Sequence, residues 1–119
     1  MDRYRDRIDS STYQRDEPVG VGPDAGDSNY DGWIWIPERL FARMQHIARA
    51  YELHVLSRLD PYDRNVLGRE ETETLVDEIE FISEILQDEA LTGELQRFRG
   101  VALHVAQQPM RISLIVEGP

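Results

Sequence analysis

The chain has 119 residues, no cysteine, and 13 Lys plus Arg against 23 Asp plus Glu, a net charge of −10 at pH 7. That length suits one domain. The charge opposes nucleic-acid binding and anionic membranes, since both need clustered cations to meet phosphates, and the missing cysteines exclude disulfides and thiolate chemistry.

The acidity is spread along the chain. Residues 1–32 carry eight acids and four Arg, and residues 33–119 carry fifteen acids and nine Arg. Every basic residue is Arg, a bias that a GC-rich genome would produce. The first residues, Met1-Asp-Arg-Tyr-Arg-Asp-Arg7, have no apolar core of a signal peptide, and no apolar run is long enough to span a bilayer. The expected compartment is the cytoplasm.

Residues 1–32 read as a flexible acidic leader. Pro18, Gly20, Gly22, Pro23 and Gly26 break any helix, and Gly20 to Gly26 reads as a linker, because it follows no strand and opens no helix as a phosphate loop would. The folded domain is expected over 33–119. Trp33-Ile-Trp-Ile36 predicts a short strand with both tryptophans on one face. Pro37 and Glu38 then suit the first turn of a helix.

From Glu38 to Leu59, Leu40, Phe41, Met44, Ile47, Ala48, Tyr51, Val55 and Leu59 keep the spacing of one amphipathic helix. Asp60-Pro61 ends it, and residues 60–68 read as a loop. A second helix runs from Arg69 to about Glu89 with Leu75, Val76, Ile79, Ile82 and Leu86 inward. Leu91, Leu95, Phe98, Ala102 and Val105 predict a third over 91–108. Its rival is a shorter helix ending at Gly100, followed by a hairpin strand over 101–106. Met110 to Glu117 predicts a last strand, which pairs with Trp33–Ile36, since a four-residue strand cannot stand alone. The fold class is thus α+β: a short N-terminal strand, three helices, and a C-terminal strand pairing with the first.

Two candidate sites follow. On the second helix Glu70, Glu73, Asp77, Glu80, Glu84 and Asp88 form an acidic stripe, with Phe81 and Ile85 beside it. A solvated face is the bland account of such a stripe; the functional one is a docking surface for a basic protein, with aromatic and aliphatic anchors. Phe81 and Ile85 suit packing on another element or a contact surface, and a homodimer is a further expected assembly. The second site is Asp27-x-Asn29-x-Asp31-Gly32-x5-Glu38. It fits the spacing D-x-[DN]-x-[DN]-G-x5-E, with the Trp33 carbonyl as a further ligand and Glu38 closing the site through both oxygens. In these twelve residues the chain resembles an EF-hand loop, which implies single-site calcium binding. Against this, residues 15–26 offer no helix leading into the loop, and Asp31-Gly32 as a turn with Glu38 as a helix-start residue explains the same letters.

The three histidines do not form a metal pair. His46 and His54 lie eight apart, whereas ligands on one helix face are spaced by four, and His104 stands alone. No catalytic constellation emerges. The leading expectation is a small acidic, non-enzymatic protein-binding module, of the kind that neutralises a basic partner as an immunity protein or antitoxin does. The alternatives are a calcium-binding module and a small enzyme with an unrecognised pocket.

Overall fold

A computed structural model describes residues 18–24, 32–109 and 112–118. Two strands open the fold, β1 (Val19–Pro23) and β2 (Ile34–Ile36). Helix α1 (Glu38–Ala50), a single 3-10 turn (Leu56–Arg58) and strand β3 (Arg64–Leu67) follow, then α2 (Arg69–Ile85), α3 (Glu89–Ala106) and β4 (Leu114–Glu117). The sheet is antiparallel with strand order β2-β1-β4-β3.

The α+β class and the pairing of first and last strands are as expected, but the first strand is one that the sequence reading placed in a linker. Val19-Gly-Val-Gly-Pro23 sits in the middle of the sheet, between β2 and β4. Strand β2 therefore does not reach β4 directly. The alternation explains how a glycine-rich segment forms a strand. Val19 and Val21 point into the core and are fully buried, while Gly20 and Gly22 face the other side, where indoles lie on them. A Cβ on Gly22 would stand 2.2 Å from Cγ of Trp33, and one on Gly20 would stand 2.6 Å from Cζ3 of Trp35. A strand glycine of this kind marks the close approach of another group. The remainder of the expected leader, 1–17 and 25–31, lies outside the described residues.

The first helix is shorter than its apolar spacing predicts. It ends at Ala50 in a Schellman turn: Leu53 N–H donates to the Ala48 carbonyl at 2.8 Å, and Glu52 N–H to that of Arg49 at 3.1 Å. Two buried side chains then take over the peptide groups of the following connector. Glu78 accepts from the backbone of Val55 and Leu56, and Gln45 donates to the carbonyls of Leu56 and Leu59. Val55, Leu56 and Leu59 still reach the core, but Tyr51 is left exposed.

The expected loop 60–68 contains the edge strand β3. Asp60-Pro-Tyr-Asp63 makes a turn, with Asp63 N–H donating to the Asp60 carbonyl at 3.3 Å and Tyr62 N–H to Asp60 Oδ1 at 2.9 Å. Asn65 holds this turn to the sheet: its Nδ2 donates to the carbonyls of Asp60 (2.8 Å) and Val116 (2.9 Å). The second helix ends at Ile85, four residues early, because Asp88 caps the next helix by accepting from Leu91 N–H at 3.2 Å. The third helix is one piece through Gly100, so the hairpin alternative does not occur.

The helices cover one face of the sheet. The core joins Val19, Val21, Ile36, Leu67, Leu114 and Val116 to Phe41, Met44, Leu75, Ile79, Leu91, Leu95 and Phe98. Phe41 and Phe98 stack with centroids 6.0 Å apart. Burying two such rings contributes a few kcal/mol each on the scale of about 25 cal/mol per Å2 of apolar area. Among the described residues no helix is long and apolar enough to cross a membrane.

Candidate partner-binding surface

Helix α2 divides its residues between a buried and an exposed side. Leu75, Val76, Ile79 and Ile82 are buried, as their spacing predicts. Glu78 falls among them and is only 6% exposed. Sequence reasoning passed over it, although it shares the inner stripe with Leu75 and Ile82 at helical spacing. Both its oxygens are engaged by backbone N–H groups, at 3.0 and 2.8 Å, so it serves as an anchor for the connector.

The acidic stripe splits into two groups. Glu80 receives Arg99 of α3, whose Nε and Nη2 donate to Oε1 at 2.8 and 2.6 Å. Asp88 receives Arg43 of α1 at 2.6 Å. The Leu91 N–H bond, followed by the Arg43 bond, lowers the Asp88 pKa below the usual carboxylate value. These two acids hold helices together. Glu70, Glu73, Asp77 and Glu84 remain exposed and form no ion pair among the described residues. Phe81 and Ile85 lie within the same strip at 39% and 40% exposure. They are joined by Tyr51 from the end of α1, 53% exposed, whose ring meets Phe81 edge-on at a centroid separation of 5.4 Å and an angle of 75°. Tyr51 was expected in the core; its exposure follows from the early end of α1.

The calcium pattern is only partly within view. Asp27, Asn29 and Asp31 lie outside the described residues. Trp33 donates from Nε1 to the Pro23 carbonyl at 3.2 Å and packs over Gly22. Glu38 opens α1 and accepts from the Tyr62 hydroxyl, a bond that raises the Tyr62 pKa. Among the described residues no group of three or more His, Cys, Asp or Glu is placed to hold a metal ion. His46, His54 and His104 are all exposed and stand on separate segments. Trp35, the partner of Trp33 on the outer face of the sheet, is 45% exposed.

A cleft of about 240 Å3 lies between the connector and β3, lined by Val55, Arg58, Leu59, Asn65, Val66, Leu67 and Glu71. Its one carboxylate, Glu71, is solvent-exposed.

Comparison of the chain with protein-family models, with curated proteins and with solved structures found no match.

Proposed function

We propose that this protein is a small acidic, non-enzymatic binding module that docks and neutralises a basic protein in the cytoplasm, as immunity proteins and antitoxins do. The observation that carries the reading is the α2 face, where Glu70, Glu73, Asp77 and Glu84 stand exposed beside Phe81 and Ile85 and form no ion pair among the described residues. Like charges three or four residues apart on a helix destabilise it by about 0.2–0.5 kcal/mol per pair. Folding leaves that repulsion in place along α2, and a cationic partner would relieve it. An apolar centre within a charged rim is also the usual anatomy of a protein-binding patch. The whole-molecule charge of −10 would speed encounter with a basic partner and slow encounter with nucleic acid.

The test is capture from an extract of the source cells at low salt, using the full chain as bait. The control bait carries Glu70→Lys, Glu73→Lys, Asp77→Lys and Glu84→Lys. A basic protein retained by the first and lost from the second, and binding again when purified, supports the reading. Retention of the same proteins by both baits contradicts it.

A further inference from the structure

Two of the exposed large apolar side chains, Tyr51 at the end of α1 and Phe81 of α2, meet, and the exposed Ile85 lies one turn on from Phe81 along α2. The rings of Tyr51 and Phe81 stand edge to face at 75° and, both being exposed, form a corner at the surface. We propose that this corner receives an arginine side chain, borne by a basic segment of the partner; the inference rests on the reading of the protein as a module for a basic partner, and names the group that is recognised.

Complementarity of charge and shape selects that occupant. Carboxylates neighbour the two rings along the chain. Asp77 lies one turn before Phe81, Glu84 lies three residues after it, and Glu52 follows Tyr51 directly; all three are exposed and none forms an ion pair among the described residues. A guanidinium is planar, stacks on aromatic faces and keeps five in-plane donors for carboxylates. An ammonium gains the charge but little of the stacking. Within the same acidic stripe the chain already shows this chemistry, where Arg99 gives two N–H groups to Glu80.

The corner also depends on a specific backbone feature. Glu52 has φ of 57°, the one positive value at a non-glycine among the described residues, at the position where helices commonly end in glycine. The Schellman bonds around it turn the chain away from the α1 axis. That turn leaves Tyr51 outside the core and against Phe81, and places a carboxylate next to it.

The experiment is calorimetric titration of the full-length protein with hexaarginine and hexalysine at low salt. Arginine is expected to bind more tightly by about two- to fivefold, the worth of an exposed cation–π contact. Phe81→Ala should bring the ratio to about one. Tyr51→Leu, which keeps apolar bulk but removes the π face, should do the same at a site where no folding defect is expected. Lysine affinity should be unchanged in both. A ratio of one in the unaltered protein, or a ratio that survives both substitutions, overturns the arginine corner, while salt-sensitive binding of both peptides leaves the acidic-face reading intact. Binding of neither peptide overturns both.

Discussion

The carboxylate of Glu78 accepts the backbone N–H of Leu56 at 2.8 Å with one oxygen, and with the other that of Val55 at 3.0 Å. Helix α2 thereby fixes a connector that carries no long regular element of its own. Gln45 completes the arrangement from α1, donating to the Leu56 carbonyl at 3.1 Å. Glu78→Ala should leave two buried N–H groups without an acceptor. Each such loss costs about 1–3 kcal/mol, and Glu78→Gln, which keeps one acceptor oxygen, should fall between. Denaturant midpoints check this; equal midpoints for the Ala variant and the parent would refute the anchor.

Gly22 and Trp33 give the second prediction. Gly22→Ala must displace the indole, because the added carbon falls on Cγ, near the base of the side chain. The expected cost is about 1–3 kcal/mol, as for other overpacked sites. Tryptophan emission should also shift as Trp33 leaves its seat. An unchanged spectrum with unchanged stability would show that the two do not touch.

The same pair shows what could be read in the sequence and what could not. The faces of α2 and α3 follow from spacing, since Leu75, Ile79 and Ile82, or Leu91, Leu95 and Phe98, repeat at helical intervals. Strand β1 has the period-2 signal in Val19 and Val21, but its glycines and proline carry the stronger signal of a linker. Only the indoles of Trp33 and Trp35, more than ten residues on, make those glycines necessary. Likewise Tyr51, Val55 and Leu59 keep a helical period through a segment that is not α-helical, where Gln45 and Glu78 bind the backbone from outside. The acidic stripe was legible as a pattern. Which of its members were neutralised depended on Arg43 and Arg99, from neighbouring helices.

Gly100 offers a stabilising change. It lies exposed within α3, and a Cβ there meets nothing within 4 Å. Gly100→Ala should raise stability by about 0.5–1 kcal/mol through helix propensity and a less flexible unfolded chain. Thermal melting at neutral pH reads this directly, and a fall in melting temperature would contradict it.

Asp88 links stability to pH. Its folded pKa is lowered from 3.8, first by the Leu91 N–H bond and then by Arg43. A depressed carboxylate contributes stability that is present above the unfolded pKa and is lost as pH falls through the lower folded value. Asp88→Asn should therefore be less stable than the parent at pH 7. The difference should shrink as the pH is taken below 3.8. A gap that stays constant into acid would mean that the charge of Asp88 contributes nothing.

As proposed, the exposed acidic face of α2 binds a basic protein. The most direct measurement of this is the affinity of the purified pair at low and high salt, for the unaltered chain and for the variant with Glu70, Glu73, Asp77 and Glu84 all changed to Lys. Tight binding is expected at about 50 mM salt, weakening steeply as screening shortens the reach of each charge, with weak binding by the variant at either salt. An affinity indifferent to both salt and charge reversal would contradict it.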